Sequence, residues 1–156
     1  MMHASELARA CADFMEAGDA AGRLLGIKLI SIAPGQAVAT MTVSGDMLNA
    51  HGTCHGGFLF TLADAAFAFA SNTHNQVSVA QNCTISFIAP ARSGDNLVAR
   101  AVERTRVARA GVYDVTITRE EGMVIAEFRG VSRTTGAEIL PGMSAKGVPQ
   151  PVDPGQ

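Results

Sequence analysis

Hydrophobic and polar positions along this chain change their period several times, and each change marks an element. Residues 5–17 place Leu7, Cys11, Phe14 and Met15 on one helical stripe, which predicts a helix with Ser5 as N-cap and a stop at Gly18. Two extended stretches follow at 25–32 and 37–44, separated by the turn signal Pro34-Gly35. Residues 58–70 are then apolar on nearly every helical face and hold one carboxylate, Asp64. A helix of that kind is buried all round, so the pattern places Asp64 inside the protein. Period two returns at 79–88, where Val79, Cys83, Ile85 and Phe87 alternate with Ala80, Asn82, Thr84 and Ser86. Further strands are predicted at 96–107, 112–119 and 123–133, with Pro90, Gly94-Asp95, Ala110-Gly111 and Glu121-Gly122 as punctuation.

The predicted order is therefore helix, two strands, long helix, four strands. One substantial helix between strands does not suit repeated strand-helix-strand units; it suits an α+β fold with one sheet over one helix. From Pro141 onward the chain gathers four of its six prolines with Gly142, Gly147 and Gly155, a composition that cannot pack a core. The expectation is a single domain over 1–140 and a flexible tail over 141–156.

Composition narrows the function classes. At 156 residues and 47% hydrophobic content the chain can fill one proper core. A net charge of -2 offers no basic surplus for nucleic acid or an anionic membrane. Three cysteines without a C-x-x-C spacing disfavour a disulfide framework, and a reducing cytoplasm is the expected location. The amino terminus carries Glu6 and Asp13 and no basic stretch ahead of an apolar run, unlike a signal peptide. The longest apolar run, broken by Asp64, is too short to span a bilayer.

Candidate chemistry centres on Asp64 and the loop before its helix. A buried, unpaired carboxylate costs several kcal/mol or has its pKa forced upward, and its neighbours at helical spacing, Phe60, Thr61, Phe67 and Ala68, include no base. The reading is a carboxylate kept for base or nucleophile work, with both roles open; the bland alternative is an Asp bonded to a neighbouring strand. Gly56 and Gly57 come just before the helix, where free N–H groups and the positive end of the dipole suit an oxyanion. Asp64 lies two turns further along, roughly 10 Å at about 1.5 Å per residue. That is far for one small reacting group, and two antiparallel copies of the helix would close the gap. His51, Cys54 and His55 lack the further ligands zinc needs, so no metal is expected. Cys54 reads as structural, because a thiol adjacent in sequence to its histidine is poorly disposed for proton transfer. His55 either bonds backbone or lines the site, and Asn49 either fixes the loop or touches substrate.

The run Asn49-x-His51-x-x-x-His55-Gly56-Gly57, followed by an apolar helix with Asp64 nine residues after His55, resembles the hotdog-fold acyl-CoA thioesterases. The resemblance runs from about residue 20 to 139. It includes Met47-Leu48-Asn49, Cys54-His55-Gly56-Gly57, Leu62-Ala63-Asp64 and Gly111-Val112-Tyr113-Asp114, and it looks most like the members that serve phenylacetic acid degradation. It implies an antiparallel sheet wrapped around one long central helix, with active sites at a homodimer interface and a dimer of dimers beyond it. It also implies that Asp64 is the catalytic carboxylate and that the Gly56 N–H polarises the thioester carbonyl. Asn49 and His55 would line or brace the site, with Gly57 beside the substrate. The implied reaction is hydrolysis of aryl-type (phenylacetyl or hydroxyphenylacetyl) or medium acyl-CoA thioesters, coenzyme A being part of the substrate and no metal or redox cofactor being required. Arg104, Arg106 and Arg109 would meet coenzyme A phosphates, or else they form a solvated hairpin end. Thr84 would be part of the pocket wall or simply exposed. The alternatives are a non-catalytic acyl-CoA binder or sensor, and a hotdog enoyl-CoA hydratase or dehydratase using a His-Asp pair.

Overall fold

The apolar helix sets the architecture, because an element without a polar face must be wrapped. In this computed structural model, which describes residues 1–146, six strands do so as one antiparallel sheet. The elements are α1 (Ala4–Gly18), α2 (Ala20–Leu25), β1 (Lys28–Ala33), β2 (Gln36–Thr42), a 3-10 turn at Gly45–Met47, α3 (Gly56–Ser71), β3 (Ser78–Phe87), β4 (Asn96–Val107), β5 (Ala110–Arg119) and β6 (Val124–Thr134). The expected α+β class and the sheet curled over one long helix both hold. Strand order is β1-β2-β4-β5-β6-β3, so the strand that follows α3 in the chain sits at an edge of the sheet beside β6. Irregularities at Leu29/Ser31, Ala80/Asn82, Glu103/Thr105 and Ile117/Thr118 interrupt the ladders, and such bulges bend strands around a helix.

Small residues on the inner face let the helix approach closely. Ala37 and Ala39 of β2, Ala99 and Ala101 of β4 and Ala126 of β6 are all buried beneath it. Phe67 of α3 packs edge-on to Tyr113 at 5.5 Å and tilts against Phe128 at 5.9 Å. It also lies over Gly130, where a Cβ would stand 2.8 Å from three ring atoms. The polar groups at this depth are paired. Glu103 accepts from Tyr113 Oη at 2.7 Å and sits 2.9 Å from His74 Nε2. The His74 hydrogen bond is the main reason the Glu103 carboxyl lies below its usual range. Burial, then Glu103, holds the Tyr113 phenol protonated far above the usual value.

Helix ends depart from expectation at the amino terminus. The cap of α1 is His3, not Ser5, because Glu6 Oε2 reaches back to accept the His3 N–H at 2.7 Å. The expected first strand begins later, at Lys28, since residues 20–25 form α2. Asp19 caps that short helix by accepting the Gly22 N–H at 3.0 Å, and Gly26 closes it at φ 69°. At the other end of α3, Asn72 donates to the carbonyls of Ala68 (2.8 Å) and Ser78 (3.2 Å) and accepts the Ser78 N–H (2.9 Å), which fixes the helix to β3. Of the segment expected to be flexible, residues 141–146 are described: Asn75 accepts the Leu140 N–H (2.7 Å) and donates to Leu140 O and Met143 O (2.9 Å each), and the Lys146 N–H meets Met2 O at 3.2 Å. The remaining residues lie outside the described ones.

Candidate active site

One side chain builds the loop before α3. Asn49 Oδ1 accepts the backbone N–H groups of His51 (2.9 Å) and Thr53 (3.2 Å), while its Nδ2 reaches Thr53 Oγ1 at 3.0 Å. Gly52 turns the chain at φ 77°, in the left-handed region that a residue without Cβ enters freely. Asn49 therefore braces the loop, the local-bonding role open to it from sequence. The loop's end is pinned by the His55 N–H on Met47 O and the Cys54 N–H on Ala91 O, both at 2.7 Å.

His55 then caps α3. Its Nδ1 accepts the Gly57 N–H at 3.1 Å, so the neutral ring carries its proton on Nε2. The two glycines, which the pattern put ahead of the helix, are its first two residues, and they differ in consequence. The Gly57 N–H is taken, whereas the Gly56 N–H meets no acceptor among the described residues. It is an orphan donor at the positive end of a helix dipole, which is the arrangement that binds an oxyanion. Gly56 shares a cavity of about 410 Å³ with Asn49, Leu59, Phe87 and Ile88.

Asp64 opens elsewhere. It is half-buried in the chain, where the apolar pattern predicted burial all round. The reason is a second cavity of about 400 Å³ between α3 and the amino-terminal helices, where Phe14, Met15, Asp19 and Ile27 face Thr61, Asp64 and Phe69. No hydrogen bond or ion pair reaches the Asp64 carboxylate from the described residues. Burial raises its pKa above the ordinary 3.8, and the charge of Asp19 adds to the rise. Cys83 on β3 senses Asp64 in turn: burial first, then that carboxylate, pushes its thiol up. The chain thus brings Asn49, His55, Gly56 and Gly57 together and leaves Asp64 apart, about 12 Å along the axis at roughly 1.5 Å per residue.

The remaining sequence-derived residues scatter. Thr84 is exposed on β3, paired in register with Arg129 on β6, and lines neither cavity. The three arginines do not form one group. Arg104 Nε binds Asp114 Oδ2 at 2.9 Å on the outer face, where Arg129 also holds that carboxylate. Arg129 first, and Arg104 with it, holds the Asp114 carboxyl below its usual range. Arg106 lies 3.8 Å from Glu103 on the inner side, and Arg109 borders a cavity with His74 and Thr134. Cys54 is buried with its thiol pushed up by that burial, and all three cysteines are free. Among the described residues no group of three or more His, Cys, Asp or Glu side chains could hold a metal ion. What sequence reasoning missed is the wall opposite Asp64. Asp19, directly after Gly18 and followed by Gly26, carried a readable signal for a capped short helix.

A profile of the thioesterase superfamily matches residues 51–126. The acyl-coenzyme A thioesterase PaaI of Escherichia coli (strain K12) is 46% identical over 125 residues, covering 80% of this chain and 89% of the relative. The chain belongs to the thioesterase superfamily. The fold of this thioesterase is the hotdog: the structure of E. coli PaaI, a protein from the phenylacetic acid degradation operon, matches it with a TM-score of 0.85. That match has 45% identity and covers 86% of this chain and 97% of that one. Human acyl-coenzyme A thioesterase 13 is 31% identical over 112 residues, 69% of the thioesterase described here and 79% of the relative. A Streptococcus mutans UA159 protein, smu.793, solved bound to acetyl CoA, matches with a TM-score of 0.69 at 25% identity, over 72% of this thioesterase and 90% of that chain.

Proposed function

We propose that this acyl-CoA thioesterase hydrolyses aryl-type (phenylacetyl or hydroxyphenylacetyl) or medium acyl-CoA thioesters at a site shared by two copies of the chain. The observation that carries the reading is the separation of its two unsatisfied groups. The Gly56 N–H and the Asp64 carboxylate occupy different cavities of one chain, although one thioester needs both within reach. Antiparallel α3 helices in a homodimer would set the Gly56 of one copy beside the Asp64 of the other. The phenylacetic acid operon of the E. coli relative, and the apolar walls supplied by Phe14, Met15, Ile27 and Phe69, support an aryl or medium acyl group in the Asp64 cavity.

In this reading the thioester carbonyl oxygen accepts the Gly56 N–H, which stabilises the negative charge that develops there. Asp64 either takes a proton from the attacking water or attacks the carbonyl itself to give a mixed anhydride that water then opens. Both routes break the C–S bond, release the sulfur as coenzyme A thiolate, which takes up a proton, and leave the free acid. The hydratase alternative finds less support, because the relatives in E. coli and human are named acyl-coenzyme A thioesterases.

Complementation tests the shared site. Asp64→Asn keeps the side chain's size and removes its charge, and kcat should fall by about 100-fold or more with KM little changed. Gly56→Pro deletes the N–H at the first helical position, where proline's backbone is tolerated, and its Cβ, which would stand 2.8 Å from the Phe87 ring, requires that exposed ring to turn aside. The homodimer of each variant should be inactive, and co-refolding the two should restore about a quarter of parental activity by statistical pairing, one intact site per mixed dimer. An inactive mixture of well-folded dimers refutes the shared site. An active Asp64→Asn homodimer removes Asp64 from the chemistry.

A further inference from the structure

We infer that Asp19 is a specificity-determining residue of the acyl cavity: its carboxylate faces the same space as Asp64 and excludes acyl groups that end in a negative charge. The inference rests on the reading that this cavity receives the acyl group. The cavity has aromatic, thioether and aliphatic walls, and its charged lining consists of two carboxylates, Asp19 at the junction of α1 and α2 and Asp64 on α3. Among the described residues no lysine, arginine or histidine lines it to balance them. Of the cations nearest in sequence, Lys28 is exposed on β1 and outside the cavity lining, and the other two are turned to other work. Arg23 Nη1 donates to the carbonyls of Ala17 (2.9 Å) and Glu16 (3.5 Å), and Arg9 pairs with Asp13.

Asp19 is placed for this role by its capping duty. Oδ1 accepts the Gly22 N–H at 3.0 Å, whereas no bond to Oδ2 is made by the described residues. Gly22 is what makes room, since a Cβ there would run into that carboxylate. The capped carboxylate is thus held in one place with one oxygen unclaimed. Its field crosses the cavity, because Asp19 is the charge that adds to the raised pKa of Asp64. A third carboxylate entering this space would meet two like charges and be repelled by both. A neutral acyl group of the same length would meet none.

The test compares acyl-CoA pairs matched in length, hexanoyl against adipoyl and octanoyl against suberoyl, by the ratio of their kcat/KM values. Asp19→Asn keeps a good N-cap while removing the charge, and Asp19→Ser does the same with a smaller group. The parent enzyme should favour the neutral member of each pair, and both variants should narrow that preference by about tenfold. The ratio is insensitive to any general loss of folded enzyme, which would lower both substrates alike. An unchanged ratio in both variants overturns the inference, even with Asp64→Asn inactive. A narrowed ratio beside an active Asp64→Asn enzyme leaves the cavity assigned to the acyl group and removes only the catalytic role of Asp64.

Discussion

Asp64 holds its charge against two opposing influences, burial and the neighbouring Asp19 carboxylate, and both raise its pKa above 3.8. Because catalysis as base or nucleophile needs the ionised form, the acid limb of the pH–rate profile should lie above the ordinary aspartate range and move down in Asp19→Asn. The stability consequence has the opposite sense. Below pH 3.8 the group is protonated in both folded and unfolded chains and contributes nothing. As pH rises toward the raised folded value, the unfolded chain releases its proton first, so folding is progressively penalised. Asp64→Asn should therefore melt higher than the parent at neutral pH, with the advantage vanishing below about pH 4. Thermal melts across that range that show a lower Tm for the variant at pH 7 would mark Asp64 as structural. Asp64 was legible in the sequence because it is a lone carboxylate in an apolar run. The arginines were not. Arg104 and Arg106 share parity in a regular strand, but the bulge between Glu103 and Thr105 turns Arg104 outward to Asp114 and Arg106 inward toward Glu103.

At the scale of elements, the contact between α3 and the sheet depends on a missing side chain. Phe67 is 1% exposed and hemmed in by Tyr113 and Phe128, so it cannot step aside for a Cβ on Gly130. Gly130→Ala should cost about 1–3 kcal/mol by overpacking and lower Tm by several degrees; a melt that matches the parent would show that the ring has room. The strands were largely legible because the inner face of β4 to β6 repeats every second residue and short turns punctuate it. Register was not, since bulges leave no mark in an alternation read one strand at a time. The second helix went unread for a different reason. At six residues it is too short to show periodicity, and its existence rests on Asp19 and Gly26 at its ends.

For the whole molecule, β3, which with β1 forms the two edges of the sheet, is the feature with most consequence. β3 pairs with β6 on one side only and is exposed along most of its length, and Val79, Phe87 and Ile88 are each more than half exposed. A lone edge with apolar side chains is a template for another strand, and β3 of a second copy, running antiparallel, would continue the sheet. Sedimentation at assay concentration should find the activity in a dimer or a multiple of it, and a fully active monomer would refute the shared site. The same strand order bears on how the chain is made. β3 leaves the ribosome right after α3, yet its partner within the chain is the last strand synthesised, so β4 and β5 must emerge before it can be claimed. At about 5–20 residues per second it waits for on the order of seconds with both edges open. Pulse-labelled hydrogen exchange during refolding should protect the amides of β4 and β5 before those of β3, because the long-range closure comes last. The segment that most needs shelter in the finished protein is thus the one left longest without it during synthesis, and a growing chain is most open to capture by a chaperone, or by its own siblings, in that interval.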